Sequence, residues 1–190
     1  DLAIRLRAYD AGGDDYLVKP YSLDELERKL RLALQAQDSR RELVNRAGYA
    51  QKTAFAAMST MGEMGVVMEF LRGSFACATP EQLAAAFFTA LNAYEMEGFV
   101  ELRFPGGASC FSSKGECSWL EKSIIGHVRE MERLFQFQSR LVINYPRITV
   151  VVGLPDEDSE RVGRLRDHLA ILTEGAEMRL GAMEGETLRL

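Results

Sequence analysis

Gly98–Ser113 reads GFVELRFPGGASCFSS, and its period of two decides the fold class. Val100, Leu102 and Phe104 alternate with Glu101 and Arg103, so the apolar set falls on one face of a strand. Pro105, Gly106 and Gly107 supply the turn chemistry for a reversal into a short second strand around Ser109 to Ser113. The stretch is a hairpin, and it anchors an antiparallel sheet.

Working toward the N-terminus, Thr79 offers a hydroxyl cap and Pro80 a first helical residue, and Leu83, Phe87, Leu91 and Tyr94 give one face of a helix ending near Met96. Toward the C-terminus, the spacing of Leu120, Ile124, Val128 and Met131 predicts another helix. Strand signals return at Phe135 and Phe137, at Leu141 and Ile143, and at Ile148 to Leu154, the last β-branched on both faces as a central strand requires. Pro155 and the acidic run Asp156, Glu157, Asp158 and Glu160 are expected to open a final helix, because carboxylates favour the positive end of the helix dipole. From Thr79 the order is therefore helix, two strands, helix, three strands, helix. The fold class is α/β, of the α+β kind.

Upstream, Ser22 with Glu25 three residues later forms a capping-box signal, and Leu23, Leu26, Leu30 and Leu34 begin an apolar stripe. No proline lies between Tyr21 and Thr79, and the spacing continues through Val44, Ala47, Ala54, Met58, Met61 and Met68. One helix of roughly 50 residues is expected, with Gly48, Gly62 and Gly65 as weak points. So long an amphipathic helix needs a partner for its stripe, and a second copy in a coiled coil is the simplest one. Val162, Leu165, Leu169, Leu172 and Ala176 in the last helix repeat at intervals of three and four, which reads as a second dimer seam. The opening, DLAIRLRAY, suits a short helix ended by Gly12 and Gly13, followed by a buried-strand signal at Tyr16, Leu17 and Val18.

Composition narrows the function classes. The net charge is −5, and Arg28, Lys29, Arg31, Arg40, Arg41 and Arg46 are interleaved with Glu27, Asp38 and Glu42, a solvated helix face rather than a one-signed phosphate-binding patch. No nucleic-acid partner is expected. No apolar run approaches the roughly 18 residues of a membrane span, so no membrane association is expected either. Cys77, Cys110 and Cys117 are odd in number and lack a C-x-x-C pair, which argues against a disulfide framework and a zinc site and fits free thiols in a reducing cytoplasm. His127 and His168 stand on separate helices and read as ordinary packing or surface residues, with no metal or cofactor implied. Ser112 and Ser113 have no nucleophile-and-base arrangement around them, and no catalytic residue is assigned.

The run AYDAGGDDYLVKPYSLDELERKLRLAL, Ala8 to Leu34, resembles the end of a bacterial response-regulator receiver domain, whose last helix, last strand and following helix carry A-G-A-D-D-Y-x-x-K-P-F and then an E-L pair. The resemblance implies that Lys19 holds a phosphoryl group or the acidic pocket preceding it, that Pro20 shapes the backbone there through a cis bond in many members, and that Tyr16 is the aromatic that turns inward on activation. Asp15, Glu25 and Lys29 sit where some receivers pair charges across a dimer face. The acidic pocket, phosphoacceptor aspartate and switch hydroxyl of a receiver belong to earlier strands, so these residues are expected to continue a longer chain and not to be phosphorylated themselves.

From about residue 52 to residue 180 the order of elements resembles a GAF domain, a layout that PAS domains largely share. The cyclic-nucleotide signature of the N-K-x-F-x-D-E kind is absent. The resulting plan is a receiver remnant at 1–36, a signalling and dimerisation helix at 37–78, a GAF-like domain at 79–180 with a leading helix from about 52, and a flexible tail at 181–190. The expected function is that of a non-enzymatic two-component response-regulator fragment. It would relay receiver state through a dimeric helix, with Leu30, Leu165, Leu169 and Leu172 on the dimer face, to a GAF-like output or sensor domain. The partners implied are a second copy of the chain, an upstream histidine kinase in the intact protein and an unidentified downstream protein. The alternative is a small-molecule sensor of the cyclic-nucleotide type. A large apolar pocket with a few convergent polar groups would favour the sensor, and a pocket filled by Phe135, Phe137, Leu141 and Trp119 would favour the relay.

Overall fold

The computed structural model describes residues 2–156 and 159–187. The chain divides into two compact units, Asp1–Ala56 and Ala57–Leu190. In the first, helix α1 (Leu2–Asp10) ends in a turn where the Gly12 and Gly13 amides donate to the Tyr9 and Ala8 carbonyls, both at 2.9 Å. The strand expected at Tyr16–Val18 does not form. Among the described residues of this unit there is no strand for its backbone groups to pair with, so residues 14–22 run as irregular chain, with a cis bond between Lys19 and Pro20. Ser22 Oγ then accepts from the Glu25 amide at 3.2 Å and starts helix α2 (Leu23–Ser74), whose 52 residues continue without a break through Gly48, Gly62 and Gly65.

In the second unit, helix α3 (Pro80–Ala93) is capped by Thr79, whose hydroxyl accepts from the Gln82 amide at 3.3 Å. The hairpin predicted at Gly98–Ser113 is β1 (Gly98–Phe104) and β2 (Gly107–Ser112), followed by a two-residue strand β3 (Gly115–Glu116) that the sequence pattern does not announce. Helix α4 (Trp119–Val128), strands β4 (Leu134–Phe137), β5 (Arg140–Asn144) and β6 (Ile148–Gly153), and helix α5 (Ser159–Thr187) complete the order. The sheet is antiparallel throughout, in the order β3-β2-β1-β6-β5-β4. Gly98 permits the pairing of β1 with β6, since a Cβ there would lie 2.4 Å from the Val151 carbonyl oxygen.

Alternation sorts the central strands between two cores. Val100, Leu102, Leu141, Ile143, Ile148, Val150 and Val152 face the main core, where Val67 and Phe70 of α2, Leu83, Phe87 and Leu91 of α3, and Leu165, Leu169, Leu172, Ala176 and Leu180 of α5 meet them. Phe99, Val142 and Val151 face the other way, against Ile125 and Cys117.

The reading of α5 as a dimer seam is thereby corrected. Leu165, Leu169 and Leu172 have no exposed surface, because their stripe is spent on the chain's own sheet and on α3. Close packing of α5 on α2 is set by Gly175, where a Cβ would come within 2.4 Å of Leu71 Cδ2. Helix α5 begins at Ser159 rather than at Pro155, and Glu157 and Asp158 of the acidic run lie outside the described residues. The tail expected to fray from Gly181 is helical through Thr187. It is held in part by Arg147, which pairs with Glu177 at 3.0 Å and Glu184 at 2.8 Å. The cysteine reading is corrected as well: Cys110 and Cys117 form a disulfide, and Cys77 alone is a free, buried thiol. The hairpin turn between β2 and β3 returns the chain, a proximity that spacing alone does not reveal.

Candidate functional site

The smaller core is where the second unit is incompletely filled. Helix α4 has a short apolar face: Ile125 is fully buried, Ile124 and Val128 are half-buried, and Leu120 is 62% exposed. Burial alone holds such a helix weakly, and other attachments supplement it. At its start, Ser118 and Glu121 form a capping box, and the Cys110–Cys117 bond ties the preceding residue to β2. Glu121 Oε1 also accepts from the Ser112 hydroxyl at 2.9 Å, again on β2. Burial by itself would raise the Glu121 carboxyl, but the hydrogen bonds from Ser118 and Ser112 hold it below the usual range. At the other end, Asn144 Nδ2 donates to the Val128 carbonyl at 2.7 Å and the Glu132 carbonyl at 3.0 Å.

Between this braced helix and the sheet lies a cleft of about 840 Å³. Its walls are apolar: Phe99, Val142 and Val151 from the sheet floor, Ile124 and Val128 from α4, and Phe135 from β4. Leu120, Met131 and Phe137 surround the mouth, each more than half exposed. The four side chains whose filling of this space would favour the relay leave it open. Leu141 points to the opposite core, and Trp119 is 81% exposed, one residue ahead of the α4 face that meets the sheet. Phe135 and Phe137 line the cleft without closing it.

Comparison with protein-family models, curated proteins and solved structures finds no match.

In the first unit the structure brings together Asp15, Tyr16 and Lys29. Lys29 Nζ lies 2.6 Å from Asp15 Oδ1 and 5.2 Å from the Tyr16 ring centre, and Arg5 stacks over the same ring at 4.7 Å. The Lys29 hydrogen bond, with the Tyr16 amide, lowers the Asp15 carboxyl. The Asp15–Lys29 pair, expected to reach across a dimer face, is thus satisfied within one chain. Glu25 donates its amide to Ser22, Leu30 is 54% exposed, and Lys19 is exposed with no ion pair among the described residues.

A buried polar cluster in the second unit escaped the sequence reading. Glu63 of α2 is 7% exposed, 3.1 Å from Arg164 and 3.5 Å from Arg161, and its backbone carbonyl accepts from the Tyr94 hydroxyl at 2.7 Å. Burial would raise Glu63, yet Arg164 first, then His168 and Arg161, hold it below its ordinary value. Burial and the Glu63 charge push the Tyr94 phenol up to about 12. The His168 ring stacks on Tyr94 at 6.0 Å, with Nδ1 buried and unbonded. A charged residue inside an otherwise apolar heptad at Glu63 is the one signal that could have flagged this cluster. Among the described residues no group of His, Cys, Asp and Glu is arranged to hold a metal, and no helix is long and apolar enough to cross a membrane.

Proposed function

We propose that this chain is a non-enzymatic signalling module whose sheet domain senses a small molecule in the cleft between α4 and the sheet. The observation that carries the reading is the cleft itself: about 840 Å³, with apolar walls and, among the described residues, no side chain closing it. That size and lining suit a ligand-binding site. An antiparallel sheet with helices before its first strand and after its last supports a GAF-like or PAS-like assignment for the domain, and the Ala8–Leu34 run supports placing it in a response regulator served by a histidine kinase. A cytoplasmic setting goes with that placement. In such a reducing compartment the Cys110–Cys117 bond would be the oxidised form of a thiol pair.

The relay reading is the second one, and the long helix favours it. Leu30, Leu34, Val44, Met58, Met61 and Met68 are all more than half exposed on α2, a stripe that a second copy would cover as a coiled coil. The two readings combine: ligand occupancy biases α4 and the sheet, and the Glu63 cluster, which joins α2 to α5, passes the change to the helix.

The sensor reading is tested with N-phenyl-1-naphthylamine, a neutral fluorophore that brightens in apolar surroundings. Saturable binding of one probe per chain is expected, and Leu120→Trp, which adds bulk at an exposed position of the mouth, should weaken it without lowering Tm. Unsaturable binding, or binding indifferent to Leu120→Trp, would remove the basis for a sensor.

A further inference from the structure

The structure assigns the cleft a ligand class: a free, single-chain amphiphile with an apolar body and one carboxylate, its head group held by Arg140. This inference rests on the sensor reading above and concerns what the cleft selects.

A ligand must replace the hydrogen bonds that its own polar groups lose to water. In this cleft most polar groups of the lining are already occupied. Ser113 Oγ accepts from the Gly98 amide at 3.0 Å and donates to the Gly98 carbonyl at 2.9 Å. Ser112 Oγ donates to Glu121 at 2.9 Å and accepts from the Lys114 amide at 3.3 Å. Glu121 is taken up by Ser112 and by the capping box. Gln136 Nε2 donates to the Gln138 carbonyl at 2.8 Å, and Glu97 pairs with Lys114 at 3.4 Å. A sugar, a base or a cyclic phosphate placed among these walls would leave many groups unsatisfied. A hydrocarbon body would not.

Arg140 differs from the other charged side chains of the lining, and the histidine there, His127, has its Nδ1 3.2 Å from the Ser123 carbonyl of its own helix. It opens β5, where it pairs with Phe137 of β4 and Gly153 of β6, and its Nη1 lies 3.2 Å from where a Cβ on Gly153 would stand. Among the described residues its guanidinium has no carboxylate partner and no hydrogen bond, whereas the other charged groups of the lining, Glu97, Lys114 and Glu121, are each paired. An exposed cation with a fork of donors beside an apolar cleft is complementary to a carboxylate whose tail enters that cleft. Charge and wall chemistry together select one anionic group and a hydrocarbon body.

The test is competition against N-phenyl-1-naphthylamine by octanoate, decanoate and dodecanoate below their micelle concentrations, with dodecanol as the uncharged control. Affinity should rise about fourfold per methylene added. Arg140→Ala should weaken dodecanoate about tenfold while leaving dodecanol and Tm unchanged, and Lys114→Ala should leave dodecanoate within about twofold. If the neutral probe binds but the carboxylates do not compete, or compete equally with Arg140→Ala, the ligand class is wrong and the sensor reading stands. Competition by cyclic AMP alone, or co-sedimentation with phosphatidylglycerol vesicles without dodecanoate binding, likewise overturns the assignment. If neither probe nor carboxylate binds, both readings fall together.

Discussion

Glu63 shows how one residue links stability to pH. Its carboxylate is buried between Arg161 and Arg164, and its folded pKa lies below the ordinary 4.5. A depressed acid pKa means that the unfolded chain binds the proton more readily, so stability is present above about pH 4.5 and is lost as the pH falls through the lowered folded value. Urea denaturation between pH 7 and pH 3 should therefore show a decline at the acid end. Glu63→Gln should lower stability at pH 7 by about 1–3 kcal/mol and flatten that decline. An unchanged acid limb in the variant would mean that other carboxylates carry it. The local sequence GEMGVV marks Glu63 only as a charge among apolar residues and does not name its partners, because those arginines stand about a hundred residues away on α5.

At the scale of the element, α4 was legible from its apolar spacing, while its Ser118–Glu121 capping box emerged with the structure. Its attachments were not. Ser112, Asn144 and the Cys110–Cys117 bond come from β2 and β5, and their reach to α4 follows from the turns between them. The disulfide makes a measurable claim. Reduction, or the Cys110→Ser and Cys117→Ser double variant, should destabilise the second unit by about 2–4 kcal/mol, seen as a lower Tm. It should also alter probe binding in the cleft, because α4 forms one of its walls. An identical Tm with and without reductant would show that the bond contributes nothing to holding α4.

For the whole molecule, the question is which apolar surface meets a partner. The stripe on α2 is exposed, whereas that on α5 is consumed, so the two leucines once grouped together should behave differently. Leu30→Asp with Met61→Asp should halve the mass seen by light scattering at tens of micromolar, with the second unit still folded. Leu169→Ala should leave the mass unchanged and cost about 2–5 kcal/mol, as expected for a fully buried leucine. A wild-type monomer at that concentration sinks the coiled-coil proposal. By itself the sequence determined the elements of the second unit and their order, β3 excepted, because helix and strand periods, caps and turn residues are local and each is written within a dozen positions; the strand it suggested at Tyr16–Val18 has no partner strand among the described residues and does not form. It also showed that α5 carries an apolar stripe. Only the tertiary structure decided what that stripe faces, which cysteines meet, where Glu63 finds its arginines and that a cleft remains under α4. Those are contacts between residues distant in sequence, and a hydrophobic pattern specifies that a face is covered without specifying by what.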